Sequence, residues 1–266
     1  MLLSLHRMGP GRFVLYGIGL AVAAFLLLPI IFIGALSFGS SKWLQFPPPD
    51  WTIKWYVEFF ADPRWIQAIW TSFKIGIAVT VLSVALALPA SFALVRGRFR
   101  GRGLLRAFFI SPMIVPLVIV AIALYALSLR IGLNGSFLGF VVAHLILALP
   151  FAMICITNAL EGFDESMEKA AIVCGATPLQ AIWRITIPSI RLGIFAGAIF
   201  SFLASWDEVV VAIFMASPTM QTLPVRMWSA LRLDLSPVMA AASTMLILLT
   251  VVVLGTAALL RRRQAR

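Results

Sequence analysis

Six stretches of this chain, at about residues 13–37, 67–95, 105–129, 137–160, 192–216 and 238–260, run for more than twenty residues with few charges. At about 1.5 Å per residue, a helix of that length crosses the roughly 30 Å hydrocarbon core of a bilayer. Lipid offers the backbone no hydrogen-bond partners, so each run must satisfy its own amides, as a helix does. Composition agrees. With 62% hydrophobic and 12% charged residues, a soluble fold of 266 residues would have to hide far more apolar surface than such chains carry. The expected fold class is an all-α integral membrane protein of about six transmembrane helices, read as one domain over 1–266.

The net charge of +11 does not indicate nucleic acid, because the basic residues form short clusters beside apolar runs with no aromatic-lined surface between them. They report topology instead. Arg96, Arg98, Arg100, Arg102 and Arg106 follow the second run and place that loop in the cytoplasm. Counting spans from there puts the polar stretch 161–190, both termini and the tail Arg261, Arg262, Arg263 and Arg266 on the same side. The first run, behind His6, Arg7 and Arg12, is too long for a signal-peptide core and lacks a small-residue cleavage site, so it is expected to stay as a span. Residues 38–66 then form a periplasmic loop. There Pro47, Pro48 and Pro49 stop regular structure, and Thr52 is placed to cap a short helix carrying Trp55, Tyr56, Phe59 and Phe60, aromatics suited to a membrane interface. Cys155 and Cys174 have neither disulfide nor metal spacing and read as packing residues.

Residues 161–190 are the long polar interruption between apolar runs and read as two short helices joined at a tight corner. Met167, Ala170, Ala171 and Cys174 recur at helical spacing as a narrow face, behind Glu161, Asp164, Glu165 and Glu168, which suit the positive end of a helix dipole. Gly175 is placed to end that helix. Thr177 as N-cap, Pro178 at the first helical position and Gln180 closing a capping box start the next.

At these residues the chain resembles the cytoplasmic coupling loop, the EAA motif, of permease subunits of binding-protein-dependent ABC importers. Ala170-Ala171, Gly175 and Ile185-Thr186-Ile187-Pro188 fall in register with that pattern, whereas the family's Glu position holds Lys169, with Glu168 one residue earlier. The resemblance continues through Phe46-Pro47-Pro48, Pro112 to Pro116, Leu147 to Phe151, Ser205 to Val209 and Thr222 to Trp228, which together look like the second permease of the spermidine/putrescine class. Permeases for opines, aminoalkylphosphonates and other solutes are similar. What the resemblance implies is a type I importer permease of MetI-like fold, with Glu168, Lys169, Ala170, Ala171, Gly175, Ala176, Thr177, Pro178 and Pro188 coupling it to an ATPase. The implied partners are a second homologous permease, two ATPase subunits that bind ATP and Mg, and a periplasmic binding protein, all at a bacterial inner membrane.

Few polar residues interrupt the spans. Asp207 and Glu208 lie in the fifth run, where an ionisable side chain costs about 2.5–3.5 kcal/mol and so faces protein or water. Counted from Leu192, Asp207 falls roughly 22 Å into a core of about 30 Å, in the outer half. A carboxylate there either receives a cationic substrate or neutralises Lys74, which lies at similar depth. His144 is expected to make an interhelical hydrogen bond. Trp206 and Tyr125 are candidate cation–π partners of a substrate ammonium, and Pro112 and Pro116 are expected to kink or gate the third span. No catalytic constellation, metal cluster or phosphate-binding Gly-x-x-x-x-Gly-Lys-Ser/Thr loop occurs, so the chain is expected to need a separate ATPase and to hold no cofactor of its own. The reading of another class is a self-contained secondary transporter or channel. The scarcity of intramembrane ionisable groups for a proton relay argues against it.

Overall fold

The computed structural model describes residues 11–233 and 236–264. His6, Arg7 and Arg266, used above as topological markers, lie outside them. Among the described residues the regular structure is helical, apart from one isolated bridge between Gly39 and Trp51. The chain forms two units, one of Met1–Asp62 with Ala230–Leu249 and one of Pro63–Ser229 with Thr250–Arg266.

In the first unit, α1 (Gly11–Leu36) matches the first expected span. Large side chains such as Leu20, Phe25 and Ile31 are exposed along it, as suits a helix facing lipid. The loop that follows is held by polar ties to the short helix α2 (Lys54–Ala61). Trp55 Nε1 donates to the Gly39 carbonyl at 2.6 Å, and Lys54 Nζ donates to the Ser40 carbonyl at 2.7 Å. The N-cap position of α2 is Ile53 and not the expected Thr52, whose Oγ1 accepts the Lys54 amide at 3.2 Å from one residue earlier; Trp55 and Phe59 are buried.

The second unit begins with α3 (Pro63–Arg96), followed by α4 (Arg102–Ile110), a 3₁₀ turn at Ser111–Met113 and α5 (Leu117–Arg130). Next come α6 (Phe137–Glu161), α7 (Ser166–Val173), α8 (Pro178–Ala181), a π-helical turn at Ile182–Thr186 and α9 (Ile187–Ser189). The chain continues as α10 (Arg191–Trp206), α11 (Val210–Met215), α12 (Leu223–Leu233) and α13 (Pro237–Gln264), the last two crossing from one unit to the other. Four helices are long and apolar enough to cross a membrane alone: α1, α3, α6 and α13. Bent pairs raise the number to six, with 96° between Arg102–Met113 and Leu117–Arg130 and 66° between Pro178–Ser189 and Arg191–Trp206.

Helices α3, α6 and α10 pack on one another and form the core of the second unit. One cluster joins Ile75 and Val79 of α3 to Phe140 and Ala148 of α6 and Val211 and Met215 of α11; another joins Ala87 and Leu94 to Ala152 and Ile156. Without a hydrophobic driving force between spans in lipid, close backbone approach through small residues has to supply the contact. On α10, Gly193 and Gly197 do so. A Cβ at Gly197 would stand 3.2 Å from the Ala152 Cα, and one at Gly193 would overlap the Cβ of Ala159. Between α3 and α10, Gly76 makes room for Phe202, whose ring would lie 2.9 Å from an added Cβ.

Two expected spans are interrupted. The proline pair turns the third by nearly a right angle, because Pro112 and Pro116 each remove an amide donor and the 3₁₀ turn between α4 and α5 absorbs the change of direction. The fifth, expected as one helix over 192–216, stops at Trp206 and restarts at Val210. Asp207 therefore ends a helix instead of lying within one.

Candidate translocation site and coupling elbow

The break at 207–209 is built by the polar residues themselves. Glu208 turns back onto α11, its two carboxylate oxygens accepting the Val211 and Ala212 amides at 2.8 Å each, and so satisfies amides that a helix start leaves open. His144 of α6 sits against both sides of the break. Its Nδ1 lies 2.9 Å from Ser205 Oγ, and its Nε2 lies 3.7 Å from Glu208 Oε2, with both side chains buried. The interhelical bond expected of His144 is present; the approach of its Nε2, which has no hydrogen-bond partner among the described residues, to Glu208 was not foreseen. Lys74 is exposed, and the contacts of Glu208 are with Val211, Ala212 and His144 instead.

Glu208 is committed to α11, but Asp207 is exposed. Both border a cavity of about 530 Å³ whose lining is otherwise mostly apolar: Pro112, Met113, Val115 and Leu117 from the first break, Leu147 and Phe151 from α6, and Ala204, Val209 and Val210 beside the second. The two interrupted spans thus face one space. Pro116 stands at the start of α5 and is outside that lining. Trp206 is 1% exposed and stacked on Phe202 at 5.7 Å, and Tyr125 leans on Phe214 at 6.0 Å, so neither of these expected pathway aromatics lines the cavity in this conformation.

The elbow at 161–190 follows its local sequence closely. Gly175 adopts φ +94°, and the bonds Ala176 N to Ala171 O (3.0 Å) and Gly175 N to Ile172 O (2.9 Å) close α7 as a Schellman motif. The capping box is complete: Gln180 N donates to Thr177 Oγ1, and Thr177 N donates to Gln180 Oε1. At the loop's entry, the Ser166 amide donating to Asp164 Oδ1 at 2.9 Å holds the Asp164 carboxyl below the usual carboxylate range. Lys169 is exposed and lies 3.7 Å from Glu165. Glu168 faces inward, 2.7 Å from Arg96 at the end of α3, and accepts a bond from Thr186 Oγ1 at 2.6 Å. Ala170 and Pro188 are exposed, while Ala171 and Ala176 are half-buried. Val173, Leu179 and Trp183 expose apolar side chains, at 87%, 65% and 61%.

Among the described residues no group of three or more His, Cys, Asp or Glu is placed to hold a metal ion. Arg96 and the glycine pair of α10 were missed in the sequence as site and packing residues. Gly193-x-x-x-Gly197 carries a readable helix-contact spacing, but nothing local announces the pairing of Arg96 with Glu168.

A polytopic helical bundle, with a capped elbow between its spans and a cavity at two broken ones, defines a membrane transport subunit. The chain belongs to the family described as binding-protein-dependent transport system inner membrane component, whose pattern matches residues 80–266, and it is thus an ABC importer permease. It is 29% identical over 238 residues to the spermidine/putrescine transport system permease protein PotC of Escherichia coli (strain K12), covering 88% of each chain. To the putrescine transport system permease protein PotI of the same organism it is 32% identical over 242 residues, covering 88% of this chain and 85% of the relative. Its fold matches a chain in the crystal structure of a bacterial ABC transporter involved in the import of the acidic polysaccharide alginate. That match has a TM-score of 0.76 at 18% identity, covering 95% of this chain and 97% of the other.

Proposed function

We propose that this permease forms half of the translocation pathway for a polyamine such as spermidine or putrescine in a bacterial inner membrane. It works with a second homologous permease, two ATPase subunits and a periplasmic binding protein. The observation that carries the reading is the cavity between the two breaks. A polyamine is a chain of methylenes ending in ammonium groups, and this space offers apolar walls with a single uncommitted carboxylate, Asp207, at its edge. A carboxylate there favours a cation over a neutral or anionic solute, and the apolar lining accommodates the methylenes without ordered hydrogen bonds. The names of PotC and PotI point to the same substrate class.

The mechanism in this reading is alternating access. The exposed Val173, Leu179 and Trp183 offer the ATPase an apolar docking surface on a rigid elbow. Closure of the ATPase dimer moves the elbow, and the bundle responds by opening the cavity to the periplasm. Vesicles carrying the reconstituted complex test this directly. Labelled putrescine or spermidine should accumulate only with ATP and binding protein, and uptake should fall at least tenfold in Asp207→Asn while the ATPase still copurifies, since loss of one charge-assisted contact is worth about that much. ATP-dependent uptake of an anionic solute instead, with Asp207→Asn at the wild-type rate, would overturn the substrate assignment.

A further inference from the structure

We propose that Arg96, Glu168 and Thr186 form the joint through which the elbow moves the spans. This rests on reading the elbow as the ATPase contact. No side chain of α7 is fully buried, so apolar packing holds it only weakly. The attachment is polar and converges on one carboxylate. Arg96 Nη1 approaches Glu168 at 2.9 Å to Oε1 and 2.7 Å to Oε2, while Thr186 Oγ1 donates to Oε2 at 2.6 Å. Arg96 is the last residue of α3, Glu168 belongs to α7, and Thr186 closes the π-helical turn in the elbow's second arm.

The joint is stiff as well as connected. The Arg96 guanidinium lies 4.9 Å from the centroid of the Phe92 ring and 5.9 Å from that of Phe163, so its orientation is fixed from two sides. The side chains of Arg96 and Glu168 are 22% and 14% exposed, which limits the screening that makes surface pairs weak. Thr186 is fully buried. Lys169, one residue on, is exposed and its ion pair is with Glu165 in its own helix turn, so it does not take over this task. A push on α7 therefore reaches α3 through Arg96. From α3 it passes to α6, which bears His144, and to α10, which Asp207 ends.

A residue that transmits motion differs from one that only holds the fold, because its loss separates ATP hydrolysis from uptake. The test measures uptake per ATP hydrolysed by the complete complex in vesicles, alongside ATPase recovery on copurification. Arg96→Met keeps the aliphatic stem and removes the charge; the expected result is normal ATPase recovery with uptake per ATP reduced about tenfold or more. Thr186→Val keeps the shape and removes only the hydroxyl, and a two- to fivefold loss of coupling is expected, on the order of one neutral hydrogen bond. Arg96→Lys, which keeps the charge without the planar fork, should fall between wild type and Arg96→Met. Full recovery with wild-type coupling in Arg96→Met overturns the joint. Should Arg96→Met fail to assemble, wild-type coupling in both Thr186→Val and Arg96→Lys overturns it equally, and reduced coupling in both supports it. A wild-type chain that recovers no ATPase at all would instead sink the importer assembly on which the joint depends.

Discussion

Adding one methyl group at position 193 tests the packing that fixes the cavity wall. In Gly193→Ala the new Cβ overlaps the Cβ of Ala159 and stands 3.1 Å from the Cys155 carbonyl oxygen. Neither obstacle can rotate away, since both are fixed to the backbone of α6. The helices must separate, at a cost in the upper part of the roughly 1–3 kcal/mol typical of overpacked cores. Alanine returns about 1 kcal/mol through its better helix propensity, which leaves a net destabilisation of about 1–2 kcal/mol. A chain of this size loses about 2–4 °C per kcal/mol, so thermal unfolding of the purified protein in detergent should fall by about 2–8 °C. The compensating change is Ala159→Gly, which clears the Cβ overlap and leaves the Cys155 carbonyl oxygen, at 3.1 Å, as the one tight neighbour. Alone it should cost about 1 kcal/mol, and combined with Gly193→Ala it should bring the melt back towards wild type, with a coupling energy of at least about 1 kcal/mol. A Gly193→Ala protein as stable as the wild type, or a double mutant worse than both singles, would refute close approach as the basis of the α6–α10 contact.

Three further outcomes are expected. Gly175→Val meets no neighbour within 4 Å but forces a branched residue to φ +94°, a backbone cost of about 1–2 kcal/mol or more, so ATPase recovery on copurification should drop. Glu208→Ala strips the start of α11 of its acceptor and should cost about 1–2 kcal/mol, read as lower abundance and an earlier melt, with Glu208→Gln milder because one oxygen still accepts. Adding Lys74→Met to Asp207→Asn should leave uptake depressed, because Lys74 and Asp207 are both exposed and neither depends on the other for burial; recovered abundance and uptake in the double mutant would show the two to be a charge pair instead.

What the sequence revealed and what it hid divide along the range of the interactions. The ends of α3 and α6 lie within a few residues of the expected spans, because hydropathy alone sets where a helix leaves the bilayer. The elbow was legible in atomic detail, since Gly175, Thr177 and Gln180 act on amides no more than a few residues away. The break after Trp206 was not. Its flanks are as apolar as any span, and it becomes visible only once Glu208 is seen to cap the helix that follows and His144, 61 residues before Ser205, to sit against both sides. The direction of the Trp206 ring was hidden for a related reason: the residue type suits cation–π contact, and only the packed helix shows the ring turned into the core, against Phe202. Arg96 was read as one of a cluster that marks sidedness. Its partner lies 72 residues on, and nothing in the charge pattern separates it from the arginines that face solvent.

The wide turn at Ile182–Thr186 sets the phase of the elbow's second arm. A π-helical turn holds one residue more than an α-helical one, and one residue is worth about 100° of rotation. Deleting a residue from 182–186 would let the arm run on as a more regular helix, yet it would swing Thr186 off the carboxylate of Glu168 and turn Pro188 to a different side. The irregularity keeps time for the residues around it: straightened, the arm would gain order and lose its place.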